Sequence, residues 1–501
     1  MKNVISFVDL CQGEFGRRVA YTYADKITVG NVVRILGDAL TVLNYNRSKI
    51  RYLRRYYRGD QPILYRKKTV RPEINNKTVE NHALEIVRFK TSQTYGEPIQ
   101  YVSRKGNAEI SRAVDALNDY MRDANRNARD IELGTDQSSI GMAYKAVLKA
   151  PKNSVVPFRL NVLDPMDTII VYSKIDGRDM LSVQQLRDDN GEQYFQCYSE
   201  DSYFVIKNGK VVEHGINGLG GIPIVEYPNN PDRLSDIEIV ITCLDQLNKM
   251  QSDRMNGIEQ FIQAFMLFKN CEIDENKFIK MCQLGAIQVK DPSQGSNSDV
   301  KIMSEQLDQS QTQVAKDDVY RQILTVEGMP DRQQNTGGDT GQAVYLRNGW
   351  DFAEQRAKLD EPFTIEAEKK HVAVVLNIIR QTTGDVPISI RDFDVKITRN
   401  STDNMLVKAQ ALDYLIKNKI HPLIAITTCG LFGHSRFTSL ISSFPCEKVS
   451  FFMRYYSSYD PWDMFDHTQP MYQTNVSLRG GGTIVVTMHL PSISTCRLYR
   501  W

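Results

Sequence analysis

The sequence contains no apolar run long enough to cross a membrane. Its first residues, MKNVISFVDLCQGEF, also lack the basic start, apolar centre and small-residue end of a secretory signal. Charged residues make up 24% of the 501 positions, and the mean hydropathy is −0.39. These features predict a soluble protein of more than one domain, with enough apolar residues for a core.

Paired cysteines are also missing. The eight cysteines are scattered without a CxxC motif, which indicates reduced thiols in a cytoplasmic setting. His82 has no cysteine or histidine at metal-ligand spacing, so we expect an ordinary hydrogen-bonded polar group. Other cysteines and histidines also match no ligand spacing, namely Cys271, Cys282, Cys429, His434, Cys446, His467, His489 and Cys496. We therefore predict no metal and no cofactor.

The chain carries almost no net charge. Lysine and arginine number 62 against 60 aspartate and glutamate, which gives a formal net charge of +2. Proteins that grip DNA by neutralising its phosphates are usually strongly basic. The near-zero net charge therefore predicts a protein that avoids tight non-specific DNA binding, or one that does not contact nucleic acid at all.

A helix, a glycine-rich loop and a longer helix organise residues 304–384. Apolar residues recur at helical spacing on both sides of the loop, and Gly328 followed by Pro330 predicts the end of the first helix. Pro362 predicts a kink or a break in the second helix. Two helices are thus expected to hold one polar loop at their shared end.

The loop reads QQNTGGDTGQAVYLRNGW, from Gln333 to Trp350. It is not a phosphate-binding P-loop, because Gly341 is followed by Gln342 and Ala343 rather than by lysine and a hydroxyl residue. Its polar, weakly charged residues indicate a loop that contacts a large partner. An ordinary solvated connection between helices is the alternative.

A long helix is predicted from Ile27, and its last part reads NRSKIRYLRRYYRGD. Basic residues such as Lys49 and Arg54 alternate there with tyrosines. Charge plus stacking suits nucleic acid, but an amphipathic helix with packed tyrosines and solvated basic residues explains the pattern equally well. Further helices are predicted over 73–93, 107–131 and 133–146.

Short strands are predicted where the apolar period changes to alternation, over 158–163, 168–173, 181–187, 193–198, 202–206 and 210–213. Asn190-Gly191 and Asn208-Gly209 predict tight hairpin turns, because glycine can take a positive φ. Consecutive hairpins without intervening helices predict an antiparallel meander. They argue against a doubly wound nucleotide-binding sheet.

A long helix is predicted from Asp236 to about Phe268. Ser235 and Glu238 form a capping box at its start, and polar gaps occur at Asn248 and Gln251. Such a helix is expected to cross between two layers or to pack against copies of itself. A small insertion of strands and one short helix follows, and later a strand region in PISIRDFDVKITRN and a helix over 404–418.

In this order, the segments resemble the SPP1-like family of tailed-bacteriophage portal proteins, over roughly Ile27 to Phe432. The stretches that carry the resemblance are YYRGDQPIL, RPEINNKTVENHALEIV, YGEPIQYV, EYPNNPDRLSDIE with the helix after it, and ILTVEGMPDR with TGQAVYL. The resemblance implies an α+β, portal-like protomer. Its expected parts are a wing of helices and antiparallel sheet, long stem helices, a small αβ clip insertion and an atypical C-terminal tail.

The resemblance also implies domain boundaries. These are an N-terminal extension 1–26, a wing 27–234, a stem helix 235–268, a clip 269–303, a second stem helix 304–332, a tunnel-loop region 333–350, a long helix with the wing return and the start of a crown 351–433, and an atypical tail 434–501.

The function that the resemblance implies is a channel for double-stranded DNA. Members of the family form a ring, usually a dodecamer, at one capsid vertex of the virion, after assembly in the host cytoplasm. The expected partners are further copies of the chain, the terminase, the head-tail adaptor, and the major capsid and scaffold proteins, with no membrane. The residues expected at the channel are Arg332, Gln333, Asn335, Thr336, Asp339, Gln342 and Arg347.

The tail departs from the family pattern after about Gly433. A reading-frame change or divergence would produce the irregular composition that follows, and we hypothesise that residues 434–501 do not form a native crown. Two other functions stay open: another head-assembly or minor capsid protein, and a DNA-processing enzyme. The enzyme would need clustered acids or a nucleotide loop. Asp317 with Asp318, and Asp392 with Asp394, lack companions for this, so no enzyme is predicted.

Overall fold

The protein is described by a computed structural model. The structure describes residues 6–104, 107–262, 265–269, 276, 299–303, 309–331, 349–399, 405–418, 420, 425, 472–477, 483–488 and 497–500. The chain divides into two compact units, Met1–Asn400 and Ser401–Trp501. Helices and strands before residue 401 belong to the first unit, and those after it belong to the second.

The helices of the described residues are α1 Phe7–Cys11, α2 Val32–Tyr57, α3 His82–Tyr95, α4 Ala108–Asp123, α5 Arg126–Ile140, α6 Asp236–Ile262, α7 Gln309–Glu327, α8 Trp350–Thr382 and α9 Met405–Lys417. The strands are β1 Ala20–Thr22, β2 Gln100–Ser103, β3 Met142–Lys149, β4 Phe158–Leu163, β5 Thr168–Ser173, β6 Asp179–Arg187, β7 Gln193–Tyr198, β8 Ser202–Lys207, β9 Lys210–Ile216, β10 Ile224–Pro228, β11 Phe265–Lys269, β12 Asp299–Met303, β13 Phe393–Lys396, β14 Tyr472–Ser477, β15 Thr483–Met488 and β16 Arg497–Arg500. Single turns of 3₁₀-helix lie at Pro62–Tyr65 and Ile390–Asp392.

The predicted meander forms most of a six-stranded sheet with the order β1-β5-β6-β7-β8-β9. The pairs from β5 to β9 are antiparallel, as the two hairpin signals indicate, whereas β1 pairs with β5 in parallel. The inner face of this sheet packs on α2 through residues such as Leu36, Leu43 and Leu181. The first predicted strand, 158–163, was wrongly placed in the meander: as β4 it joins a separate sheet with the order β10-β3-β4.

Residues 142–146 form strand β3 and not the end of the predicted helix 133–146. Gly141 has a φ of 97° and ends α5. A β-carbon at this position would lie 2.1 Å from the carbonyl oxygen of Arg233, so the chain can turn here only because the residue is glycine. The apolar residues that follow then pair with β10 and β4.

The predicted helix over 73–93 begins only at His82. The residues before it have no regular secondary structure and are bound by side chains of α6. The amides of Asn76, Thr78 and Glu80 donate to Asn256 Oδ1, Ser252 Oγ and Asn248 Oδ1 at 2.7, 2.9 and 2.9 Å. The polar gap predicted at Asn248 therefore serves this neighbouring segment.

Helix α6 ends at Ile262, six residues before the predicted end at Phe268. The chain enters β11 at Phe265, and β11 pairs with β12 in an antiparallel ladder. Backbone pairing between the two ends of the insertion thus replaces the last helical turn. The expected short helix and central strand of the insertion, 275–291, lie outside the described residues apart from Asn276.

Helix α8 continues across Pro362, so the predicted break is absent, although proline removes one backbone hydrogen bond there. The predicted apolar stripe is buried only in the second half of the helix. Phe352 and Leu359 are 49% and 66% exposed, whereas Val372 and Ile379 are fully buried against α4, β3 and β13. The first half of α8 therefore keeps an apolar surface uncovered.

The second unit is described through α9 and a three-stranded antiparallel sheet, β14-β15-β16. Helix α9 agrees with the predicted helix over 404–418, and β15 with the predicted strand TIVVTMHL. The hypothesis that 434–501 is not a native crown stays a prediction, as do the domain boundaries.

Candidate channel interface and its supporting frame

The predicted channel residues lie in the segment 332–348, outside the described residues. They are Arg332, Gln333, Asn335, Thr336, Asp339, Gln342 and Arg347. The structure describes the chain on both sides, where α7 ends and α8 begins. We call the surrounding residues 82–95, 235–240, 320–331 and 349–361 the loop frame.

Helix α7 ends in a Schellman motif. The amide of Met329 donates to the carbonyl of Leu324 at 2.8 Å, and the amide of Gly328 donates to that of Thr325 at 3.2 Å. Gly328 has a φ of 64°, and a β-carbon there would lie 2.8 Å from Cγ of Arg356. Glycine thus permits both the turn and the close approach of α8. The predicted helix end at Gly328 is confirmed.

The start of α8 rests on α3. The amide of Ala353 donates to the carbonyl of Gly349 at 3.0 Å and closes the first turn. The ring of Trp350 lies 6.3 Å from that of Phe89, centroid to centroid, and Nε2 of Gln93 donates to the carbonyl of Ala353 at 3.5 Å. Two residues of one turn of α3 therefore hold the first turn of α8.

The end of α7 rests on the same turn of α3. Nζ of Lys90 donates to the carbonyl of Glu327 at 2.6 Å and lies 3.5 Å from its carboxylate. The Glu327 side chain is only 1% exposed. Burial and the nearby Asp236 raise its pKa to about 8, against the opposing effect of Lys90. Burial also raises the pKa of Asp360 in α8.

The start of α6 completes the frame. The amide of Ser235 donates to Glu238 at 3.3 Å, and the Ser235 hydroxyl accepts from the amide of Ile237 at 3.1 Å. The predicted Ser235–Glu238 cap is therefore present, with the hydroxyl bonded one residue earlier than in a full capping box. The Glu238 carboxylate also accepts from the amide of Gly16 at 2.7 Å and from the guanidinium of Arg17.

His82 lies at the N-terminal end of α3, against α7. Its Nδ1 lies 2.9 Å from Glu85 and its Nε2 lies 3.6 Å from Glu80, while its ring lies 4.7 Å from that of Tyr320. Burial alone would lower the pKa of His82, but the two carboxylates raise it to about 9. The prediction of a satisfied polar group is confirmed.

Helices α6 and α7 are joined by polar side chains. Arg254 donates to Gln313 at 2.6 Å, and Lys316 donates to Gln251 at 3.0 Å. The polar gap predicted at Gln251 thus faces α7. On the outer side of α7, Val314 is 62% exposed, which leaves an apolar position uncovered in the protomer.

A buried ion cluster holds the second half of α8 to the sheet β10-β3-β4; we call Arg126, Asp130, Lys145, Glu368 and His371 the wing ion cluster. Lys145 donates to Asp130 at 2.8 Å and to Glu368 at 3.3 Å. Arg126 donates to Asp130 at 2.7 Å and lies 3.0 Å from Glu368. All five side chains are at most 3% exposed.

Two tyrosines complete the wing ion cluster. The hydroxyls of Tyr101 and Tyr227 donate to the two carboxylate oxygens of Glu368 at 2.7 and 2.8 Å. Burial alone would raise the pKa of Glu368, but Arg126 and Lys145 hold it well below its usual range. The sequence reasoning missed this cluster, although a lysine in the apolar strand AYKAVL was a signal for it.

The tyrosines at the basic and aromatic end of α2 are packed, and Arg51, Arg55 and Arg58 are exposed, as the amphipathic-helix interpretation predicts. Tyr56 is buried and its hydroxyl donates to Asp245 at 2.8 Å. Arg54 donates to Asp164 at 2.7 Å. The expectation that the basic residues are solvated is wrong for Lys49, which is 2% exposed and donates to the backbone carbonyl of Glu14.

The acidic pairs named in the sequence are engaged locally. Asp317 accepts from Gln313 at 2.7 Å, Asp392 caps the turn that begins at Ser389, and Asp394 pairs with Arg104, the residue after β2. Within the described parts of the chain, no group of three or more metal-ligating side chains converges. None of the helices described is long and apolar enough to cross a membrane.

Comparison with known proteins gives one family and several solved structures. The family model "Phage portal protein, SPP1 Gp6-like" matches residues 40–424. No curated protein matches the chain significantly.

A chain in the virion of a native gene transfer agent (GTA) particle is 12% identical, with a TM-score of 0.44 over 77% of this chain and 94% of that one. Chains in the neck of an empty GTA particle computed with C6 symmetry and of a native one computed with C12 symmetry are 14% and 12% identical. Their TM-scores are 0.42 and 0.41; they cover 72% and 70% of this chain, and 90% of each neck chain is matched. Because the family match spans more than three quarters of the sequence, from α2 to beyond α9, this protein belongs to the SPP1 Gp6-like family of phage portal proteins.

Proposed function

We propose that this chain is the protomer of a closed ring at one capsid vertex, through which double-stranded DNA enters during packaging and leaves during ejection. The observation that carries the proposal is the family match over residues 40–424. That stretch includes both predicted stem helices, the insertion between them and both flanks of the 332–348 segment. The role is that of a conduit and not of an enzyme.

Uncovered apolar side chains on the long helices support assembly. Met255 and Ile258 on α6 are 38% and 39% exposed, Val314 on α7 is 62% exposed, and Leu359 on α8 is 66% exposed. A contact between two different faces of neighbouring copies closes into a ring when the rotation fits. Twelve copies is the number that the family resemblance implies.

The remaining assignments follow the same proposal. The wing is 27–234, the stem is 235–268 with 304–332, and the clip is 269–303. The clip docks the terminase during packaging and the head-tail adaptor afterwards, while the outer surface of the ring meets the major capsid and scaffold proteins. Assembly takes place in the host cytoplasm, and the finished ring is part of the virion.

The DNA-facing residues in this proposal are Arg332, Gln333, Asn335, Thr336, Asp339, Gln342 and Arg347. Amide and hydroxyl side chains contact phosphates without the strong attraction of a basic patch. A nearly neutral chain, at +2, suits a channel through which DNA must slide.

The stem contact can be tested with two matched variants. Val314→Asp places a charge on the exposed face of α7, and Val212→Asp does the same on the edge strand β9, where the side chain is similarly exposed at 60%. We expect Val314→Asp to abolish rings in sedimentation velocity, while its monomer melts at the wild-type temperature. Val212→Asp should still form rings. Rings of Val314→Asp that match the wild type would show that this face is not an interface.

The channel assignment needs a separate test in assembled particles. A photo-crosslinking amino acid at Asn335 should form covalent links to the packaged DNA. The same amino acid at Asn208, in the β8–β9 hairpin turn, should not. Equal crosslinking from both positions, or none from Asn335, would contradict the assignment.

A further inference from the structure

The end of α7 and the start of α8 both rest on a single turn of α3, and this observation deepens the proposed function. Phe89 and Gln93 contact the first turn of α8, and Lys90, which lies between them in sequence, contacts the last residue of α7. The family match does not assign a role to this turn. Because this turn contacts both helices, α3 fixes the position of the end of α7 relative to the start of α8.

The contact to α7 is made by a charged side chain to a buried carboxyl group. Lys90 binds Glu327 through both the backbone carbonyl and the carboxylate, at 2.6 and 3.5 Å. Oε1 of Glu327 has no hydrogen-bond partner among the described residues. A buried carboxyl group with one free oxygen is costly to ionise, so its charge state must affect how closely the surrounding helices pack.

The contact between α7 and α8 runs through the same place. The guanidinium of Arg356 donates to the carbonyl of Val326 at 3.4 Å, and its side chain lies over Gly328. Any displacement of the last turn of α7 therefore reaches the first turns of α8 directly.

We propose that Lys90 is a positioning residue of the portal, which sets the relation between the end of α7 and the start of α8 through its bond to Glu327. This inference rests on the proposed channel function, because α7 and α8 flank the segment that is predicted to face DNA. In this account, ionisation of Glu327 loosens the α7–α8 contact, and Lys90 opposes that loosening.

The charged and titratable groups that face Glu327 come from three elements. They are Lys90 from α3, Asp236 from α6 and Arg356 from α8, and Asp360 of α8 interacts with the same three groups. Burial and Asp236 raise the pKa of Glu327, Lys90 and Arg356 lower it, and the net value is about 8. The carboxyl group is therefore neutral below about pH 8 and becomes charged above it.

Trp350 is a native reporter of the start of α8, because it packs on Phe89. Replacement of the other two tryptophans, Trp462→Phe and Trp501→Phe, leaves it as the single tryptophan of the full chain. Its fluorescence emission and its quenching by acrylamide are then recorded from pH 6 to pH 10 in this background, with Glu327→Gln, Lys90→Met or Lys90→Arg added.

The background chain should show a transition in Trp350 quenching with a midpoint near pH 8. Glu327→Gln should remove the transition, because the amide cannot ionise. Lys90→Met should move the midpoint upward by about 1 pH unit, since the cation that favours the ionised carboxylate is gone, and Lys90→Arg should restore it. A transition that survives in Glu327→Gln, or a midpoint that is the same with lysine and methionine at position 90, would overturn the inference.

Ring assembly of the same samples is followed by native mass spectrometry. Rings without the expected Trp350 transition would refute the positioning role and leave the portal proposal intact. A Glu327-dependent transition in a chain that never forms rings would support the positioning contact and count against the channel.

Discussion

Two buried glutamates, Glu368 within α8 and Glu327 at the end of α7, differ in how completely they are bonded. Glu368, in the wing ion cluster, accepts from two tyrosine hydroxyls and from Lys145, and its pKa lies well below the usual range. Glu327, in the loop frame, has one free carboxylate oxygen among the described residues, and its pKa is about 8. Burial acts on both, so the number of partners decides the charge state.

This difference distinguishes a region whose charge is fixed, the wing ion cluster, from a region whose charge changes with pH, the loop frame. The wing ion cluster joins α5, β3 and α8 with balanced charge, two cations against two carboxylates, which makes it a rigid attachment for the second half of α8. The loop frame holds the first half of the same helix through a carboxyl group that titrates within the range of ordinary buffers.

The largest effect is expected from breaking the wing ion cluster. Glu368→Gln leaves the two cations, Lys145 and Arg126, facing the single carboxylate of Asp130, and a broken buried pair costs about 3–5 kcal/mol. Urea unfolding followed by circular dichroism should show that loss. The control is Glu366→Gln, two residues earlier, where the side chain is 70% exposed and a change below about 0.5 kcal/mol is expected. Equal losses in the two variants would mean that the cluster is not an anchor.

A smaller, pH-dependent effect should come from the loop frame. The folded pKa of Glu327 is raised from 4.5 to about 8, so its contribution is present below about pH 4.5 and is lost as the pH rises through about 8. Glu327→Gln removes this loss and should be more stable than the wild type at pH 9 by about 2–4 kcal/mol. The advantage should shrink steadily towards pH 5 in the same urea assay. A difference that does not vary with pH would contradict a buried, neutral Glu327.

The smallest effect is expected at His82, which is 25% exposed. Its folded pKa is raised from 6.5 to about 9, so the stabilisation is complete below pH 6.5 and is lost as the pH rises through about 9. After solvent screening we expect His82→Gln to cost about 1 kcal/mol at pH 6 and much less at pH 10. Thermal melts at the two values would measure this, and a larger cost at pH 10 would reverse the assigned charge state.

Signals that depend on neighbouring residues predicted the structure well. The cap at Ser235 and Glu238, the helix end at Gly328 and the two hairpin turns are all present, because each rests on backbone geometry within a few residues. The strands of the meander, from 168 to 216, were predicted with errors of a few residues for the same reason.

Features that depend on distant partners were not predicted. Residues 73–81 have helical spacing but do not form a helix, because Asn248, Ser252 and Asn256 of α6 bind three of their amides. The wing ion cluster brings together residues more than 200 positions apart in sequence, such as Lys145 and Glu368. No local sequence pattern indicates that such residues are in contact. The sequence therefore predicted which loop forms the candidate site, but not the contacts of the helices that flank the loop.

The central claim, a closed ring of this chain, is tested most directly by the mass and symmetry of the purified full-length protein. Native mass spectrometry with negative-stain imaging, in low and in high salt, should show one closed species of twelve copies with a central opening. Persistence in high salt is expected, because the proposed contacts are apolar. A chain that stays monomeric in both salts, and also when it is shortened to end at Phe432, would contradict the portal function.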